Sequence, residues 1–393
     1  MLQPGTVWNE SATFADSLTS RPTRRLTCSG LFNNTPTYHL NACFTRDSQR
    51  LIIGSYREDC SALLLADPAT GELRVIATAE NRGGAWFGGA VSMIQATGQV
   101  VVAYNRSLRV YDLETLEEKV LVEDIGAAYR FGHPAGSIDG RTVYIQRAPA
   151  FPDHLGGDPD ASRRYFEDCV SRFGGMPTTH FAVDVATGRT MELLAEPLAG
   201  CNHVVPNPAH PDLLLIDRDW PPRFSHGGDH GQTSRVWILN VRTGALAEVR
   251  PRDPNRFQIH SNWSVEGDRV YYHGRSGEAG HYVGVADVEG NVVWEKAFPL
   301  FYYGHMCTHT TERAIVTDGL FTPDLITAIH YEETDPNGVP RLEMLARHTT
   351  DWKTVSGQFS HPHCHMSPDG HWLTYNKAEA GRSDVYVVRL DQD

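Results

Sequence analysis

Nothing in this 393-residue sequence sets cysteines at the spacing of a thiolate metal site. The seven present (Cys28, Cys43, Cys60, Cys169, Cys201, Cys307 and Cys364) are scattered, odd in number and free of any CxxC pair. That argues against a zinc-thiolate site and against a disulfide framework, and leaves buried thiols as the reading. No apolar run approaches the roughly 18 residues that a membrane span needs, so no membrane partner is expected. The opening segment MLQPGTVWNESATFADSLTS has no basic stretch leading into an apolar one, and the expected location is the cytoplasm. Clustered Lys and Arg are missing too. With 48 acidic against 35 basic residues the net charge is −13, which excludes nucleic acid as an expected partner. An anionic small substrate would need a local positive site, built from a few arginines and a metal inside a cleft. A GxSxG nucleophile elbow is absent as well, against a serine peptidase.

What the sequence does have is a repeat. A β-like run enters an Asp- or Asn-centred turn and a second β-like run follows: LLLADPATGELRVI around Asp67, LRVYDLETLEEKVL around Asp112, FAVDVATGRTMELL around Asp184, VWILNVRTGALAEV around Asn240 and VGVADVEGNVVWEK around Asp287. A looser copy surrounds Asp335, and DVYVVRLDQD at the end of the sequence is half of one more, at Asp391. A second hairpin signal precedes several copies, as in Ile138-Asp139-Gly140-Arg141, Val265-Glu266-Gly267-Asp268 and Ser367-Pro368-Asp369-Gly370. Each unit therefore reads as four short strands. The fold class is all-β, a seven-bladed β-propeller forming one domain over residues 1–393, because stacking such units around an axis hides their sheet edges. The last unit lacks a strand, which a segment around Arg24 to Phe32 is expected to supply. One interval is long, and it holds a helical insertion at about 150–177: Asp158 as cap, Pro159 in the first turn, Tyr165, Phe166 and Cys169 at helical spacing, Gly174 at the end.

Histidine is unevenly distributed, with fifteen of nineteen between His203 and His371. His210, His273, His281, His330, His348 and His371 read as solvated or packed side chains. The stretch GQFSHPHCH differs, because Gln358, His361 and His363 immediately precede the first hairpin of the last blade. His305 holds the corresponding place one blade earlier, and His260 one before that. Blades repeat by rotation, so these side chains are expected to face one another across the axis. Three imidazoles and one amide oxygen leave two positions open on an octahedral ion, which suits Mn²⁺; Zn²⁺ is the other ion considered. A hydrogen-bonded histidine cluster without metal satisfies the same spacing. Arg235, at the start of a strand, is either an inter-blade salt-bridge residue or a bidentate clamp for a carboxylate.

From about Cys201 to Asn376 the motifs NHVVPNPAHPDLLLI, SRVWILN, IHSNWSVEGDRVYY, GHMCTHTTERAIVTDG and QFSHPHCHMSPDG occur in an order that resembles the oligogalacturonate lyases. These are seven-bladed propellers that cleave short pectin fragments. The resemblance implies a Mn²⁺ cofactor held by His305, Gln358, His361 and His363, with His260 and Arg235 at the reacting sugar and His203 touching substrate. It implies β-elimination of a small acidic oligosaccharide, with either His260 or Arg235 as the base; arginine is normally locked in its protonated form, which favours His260. His309 and His365 are secondary candidates for proton donation to the leaving oxygen. Two departures bear on substrate preference. His260-Ser261 stands where the family has His-Glu, and Ile216-Asp217-Arg218-Asp219-Trp220-Pro221 stands where it has Cys-His-Glu-Gly-Pro-Trp. A propeller metal-dependent hydrolase such as a lactonase, and a non-catalytic interaction scaffold, are the alternatives; a His/Gln donor set points away from the carboxylate and Asn ligands of Ca²⁺ lactonases.

Overall fold

The computed structural model describes residues 2–80, 90–104, 106–151, 160–197, 200–201, 203–218, 235–250, 256–276, 280–298, 304–352 and 360–391. Seven antiparallel sheets form a seven-bladed β-propeller. The fifth blade shows the plan: Arg256–Trp263, Arg269–Ser276, Gly280–Asp287 and Val292–Phe298 pair in sequence order. The sixth repeats it with His305–Thr308, Ile315–Asp318, Leu325–Thr334 and Pro340–Arg347.

From Asp67 to Asp335, each repeated Asp or Asn lies at the turn between the third and fourth strands of its blade. Its side-chain oxygen accepts from backbone N–H groups that the turn would otherwise leave bare: Asp112 from Glu114 and Thr115 (3.0 and 2.8 Å), Asn240 from Arg242 and Thr243 (3.1 and 3.0 Å), Asp335 from Asn337 and Val339 (2.9 and 2.8 Å). The earlier hairpin uses a serine hydroxyl in the same way: Ser137, Ser264 and Ser367 accept from the backbone N–H of Thr142, Arg269 and Trp372 at 2.9–3.1 Å.

The core is divided among the gaps between blades. Leu51 and Ile53 pack with Val385 and Val387 of the last blade, while Ile52 faces Val91, Met93 and Val100 of the second. Strands are thus buried on both faces, which is why they read as continuous apolar runs such as LLLA and QVVVA.

Closure differs from expectation in its residues. The last blade, His365–Met366, Trp372–Glu379 and Arg382–Arg389, is completed by Pro22–Arg25, which pairs Thr23 with Val388 and Arg25 with Tyr386. Ala12–Ala15 adds a fifth strand beyond it, whereas Phe32–Asn34 begins the first blade. The expected segment was displaced because residues 26–31 form a connection between two blades. The helical insertion is present as Ala161–Phe173, burying Tyr165 and Cys169 and ending at Gly174 in the left-handed region. Asp160 occupies the cap position; Asp158 and Pro159 lie outside the described residues. All seven cysteines are free thiols, six of them buried. Among the described residues no helix is long and apolar enough to cross a membrane.

Candidate metal centre

At one end of the inner strands, imidazoles from several blades converge. The ring nitrogens of His305, His361 and His363 lie within 4.8 Å of one another, and all three residues are buried. His305 opens the inner strand of the sixth blade; His361 and His363 come from the segment leading into the seventh. The Nε2 atoms of His305 and His363 are 3.3 Å apart. Two donors on a tetrahedral ion with Zn–N of about 2.0–2.1 Å would stand about 3.3 Å apart, so the spacing fits two ligands of one ion.

Behind His305 stands Asp318, fully buried, accepting from the His305 backbone N–H at 2.6 Å and from Nδ1 at 3.2 Å. That bond directs the lone pair of Nε2 into the cage, the usual arrangement behind a metal-bound histidine. Burial would raise the Asp318 carboxyl, but its contacts with His305 outweigh burial and hold it below the ordinary value. Its other oxygen is buried without a hydrogen bond, an uncompensated negative charge that a cation beyond His305 would balance. Burial, with His305 adding to it, lowers His361 to about 4 and takes His363 well below 6.5, so both present neutral, metal-competent imidazoles. The residues present fit a divalent ion. Gln358, the fourth donor expected from the sequence, lies outside the described residues.

His260 sits beside this group, its ring centroid 4.7 Å from that of His305. Two backbone irregularities put it there. The register of its strand slips between Ile259 and Ser261, so His260 falls out of the alternation, and its φ is +44°, in the left-handed region. His363 shares that conformation at +42°. The Nδ1 of His260 lies 3.1 Å from the Gly304 carbonyl and 2.8 Å from His273 Nε2. A carbonyl only accepts, so the proton is held on Nδ1 and Nε2 keeps its lone pair. Burial, reinforced by His305, His39, His273 and Arg235, lowers the His260 pKa well below 6.5. His273, read from the sequence as a solvated or packed side chain, is packed, and its partner is His260.

Arg235 and His203 meet on one carboxylate. Asp217 accepts from Arg235 at 3.2 Å and from His203 at 2.5 Å through Nδ1 and 3.0 Å through the backbone. Arg235 also reaches the Gln258 carbonyl at 3.5 Å, which brings its charge toward His260. Its ion pair is therefore within the fourth blade, not between blades, while its contact with Gln258 reaches the fifth blade and borders the site. Asp219 to Pro221, the remainder of that departing loop, are outside the described residues.

His309 and His365 do not join the group. His309 packs toward His330 (6.1 Å between rings), near the outer strands, and His365 Nε2 is engaged with Thr37 Oγ1 at 3.2 Å behind the cage. The structure adds residues that the motifs did not flag. Tyr38 stacks on His203 (4.8 Å, 5° between planes) and His133 (4.9 Å, 23°), and meets His363 edge-on at 5.1 Å. His39 packs on His305 and His260 at 5.1 and 4.8 Å, and Trp352 covers His361 at 4.8 Å. Tyr38, His39 and His133 each precede the first hairpin of their blade, the signal that singled out His260 and His305; applied to every blade it finds them. At the other end of the inner strands, away from the histidines, a cavity of about 450 Å³ is lined by Asn41, Ser92, Asn207, Asn262 and Thr308.

Fold and site together define a seven-bladed propeller with a metal-competent histidine cage on its axis. No protein-family model matches the sequence, and no curated protein matches it. Among solved structures it is similar to an oligogalacturonate lyase in complex with manganese, at TM-score 0.78 and 20% identity over 100% of this chain and 99% of that one. An oligogalacturonate lyase from Vibrio parahaemolyticus matches at TM-score 0.78 and 17% identity, covering 99% of each chain. A chain of a mitotic checkpoint complex matches more loosely, at TM-score 0.54 and 11% identity over 91% of this chain and 93% of that one. The fold is that of the oligogalacturonate lyases.

Proposed function

We propose that this chain is a metal-dependent lyase of the oligogalacturonate lyase type, cleaving short uronate oligosaccharides by β-elimination to leave a 4,5-unsaturated uronate. The observation that carries the reading is the meeting of His305, His361 and His363 beside His260, whose Nε2 is left as a base by the Gly304 carbonyl. Those three histidines, with Gln358, would hold a divalent ion, Mn²⁺ or Zn²⁺. When bound, the ion supplies the positive charge that neutralises the uronate carboxylate, without which the adjacent C5 proton is too weakly acidic to remove.

The remaining tasks fall to side chains. His260 takes the C5 proton onto Nε2, and its depressed pKa keeps it neutral and ready in the free enzyme. The electrons of the C–H bond become the C4–C5 double bond, the C4–O bond breaks, and the leaving oxygen acquires a proton. Arg235, held in place by Asp217, sets a fixed positive charge at the edge of the site, suited to an acidic sugar. Tyr38, His133 and His203 offer half-buried ring faces on the same side, suited to the apolar face of a neighbouring sugar. An imidazole-rich donor set supports this reading over a Ca²⁺-dependent propeller hydrolase, whose ion takes oxygen ligands.

The test is incubation of the metal-loaded protein with di- and trigalacturonate, with and without chelator, following ultraviolet absorbance of the conjugated double bond. Chelator-sensitive growth of that absorbance is expected. Reducing ends released without it would mean hydrolysis and overturn the reading.

A further inference from the structure

The cavity at the far end of the inner strands takes lining residues from all seven blades, so it lies on the propeller axis with the histidine cage at the opposite end. Three amide side chains in its lining are each tied at one end and bare at the other. Asn41 is only 5% exposed; its Nδ2 donates to the Pro134 carbonyl, and no described residue donates to its Oδ1. Gln95 Nε2 donates to the Phe44 carbonyl at 2.9 Å, and its Oε1 likewise receives nothing from the described residues. Asn262 is the reverse: its Oδ1 accepts from the Trp263 backbone N–H at 2.9 Å, and its Nδ2 donates to no described residue. The partner of each amide fixes which end is bare. Native structures seldom leave a buried polar group without a partner, which points to a molecule that meets these ends. Two carbonyl oxygens and one NH₂ group suit hydroxyls, which both donate and accept.

Charge narrows the class. Arg46 is the one charged residue in the lining; it is exposed and makes no ion pair or hydrogen bond with any described residue. Carboxylates stand on the surrounding hairpins, but each is occupied by its own turn or by another arginine. Asp47 accepts from Thr45 and Gln49, Asp139 from Ser137 and Arg141, and Asp369 from Ser367 and His371, while Glu266 pairs with Arg313 at 3.5 Å. A spare guanidinium fits a carboxylate in bidentate fashion. Leu40, Met93, Val205 and Pro206 supply apolar wall for the C–H face of a ring. A volume of about 450 Å³ is within the range of small-molecule sites.

We propose that this cavity is a second binding site, for a monosaccharide-sized hydroxy acid whose hydroxyls meet Asn41, Gln95 and Asn262 and whose carboxylate meets Arg46. The lining holds no histidine, acid or thiol, so the site binds its ligand without converting it. It is separate from the cage and needs no metal.

The experiment titrates metal-free protein by calorimetry with galacturonate and with its uncharged analogue galactose, for wild type, Arg46→Gln, Asn262→Leu and Arg235→Gln. Wild type is expected to bind galacturonate, and to bind galactose at least about tenfold more weakly. Arg46→Gln and Asn262→Leu are expected to weaken galacturonate by about tenfold or more, and Arg235→Gln to match wild type. No binding to wild type, equal affinity for the two sugars, or unchanged affinity in Arg46→Gln would each overturn the proposal. Weakening in Arg235→Gln but not in Arg46→Gln would put the ligand beside the cage and overturn it as well. Arg46 is exposed, so its variant keeps the test decisive even where Asn262→Leu fails to fold. The lyase reading is judged by the conjugated product and stands or falls separately.

Discussion

His260 and Asp318 divide the labour at the centre, one facing the reacting sugar and the other the back of a ligand. Replacing His260 by Asn removes the base without touching the cage. Turnover should fall by about 10²-fold or more while bound metal per chain stays unchanged. Metal loss in that variant would show that His260 belongs to the coordination sphere. Asp318→Asn has the opposite signature. The carboxylate orients His305 through Nδ1 and balances the cation's charge, so metal affinity should drop by about 10–100-fold, with kcat recovering at saturating metal. Metal titrations of the two variants, read beside their rates, separate the roles.

Ordinary strand geometry does not deliver all of these side chains. In a regular strand alternate residues point to opposite faces, and both faces of every blade are filled by the next blade. His305 reaches the cage from the end of a regularly paired strand, whereas His260 leaves the alternation at a bulge and His363 does so through a left-handed φ. At the outer ends of the blades the demand is closeness. Gly290 has φ +90°, its carbonyl accepts from Arg250 at 2.7 Å, and a Cβ on it would lie 2.0 Å from the carbonyl oxygen of Glu248 in the preceding blade. Gly290→Ala should destabilise the protein by about 1–2 kcal/mol from the left-handed backbone alone, before the clash is added, measured by urea denaturation. A variant as stable as wild type would mean that these two turns separate freely.

The ring as a whole is tied in two places: by Pro22–Arg25 pairing with the last blade, and by the cage joining the sixth blade to the approach to the seventh. Metal that binds only the folded ring adds stability, about 2.7 kcal/mol at a hundredfold excess over Kd, so chelation should lower Tm. Acid acts through a wider set of groups. Burial lowers His180, His348 and His365 to about 4. Each is neutral when folded but takes a proton when unfolded below about 6.5, so the unfolded state binds more protons across that interval. Their contribution is fully present above pH 6.5 and is lost as pH falls toward 4, by about 1.4 kcal/mol per pH unit for each group. Urea denaturation of the metal-free protein at stepped pH should show this decline; flat stability between pH 6.5 and 4.5 would contradict it.

Repeated turn chemistry is local, and a sequence carries it openly: an Asp or Asn that accepts from the N–H groups two to four residues on needs no distant partner. From it followed the blade count, the four-stranded unit and, by blade equivalence, the neighbourhood of His260, His305, His361 and His363. What needed tertiary structure was everything defined by a contact across strands or blades. The carbonyl that chooses the tautomer of His260 and the closing pair Pro22–Arg25 join different blades, and the carboxylate shared by His203 and Arg235 joins three stretches of the fourth blade that no short motif spans. Direction is decided the same way, since a bulge or a left-handed residue turns a side chain toward the axis only once the neighbouring blades have filled every other course open to it.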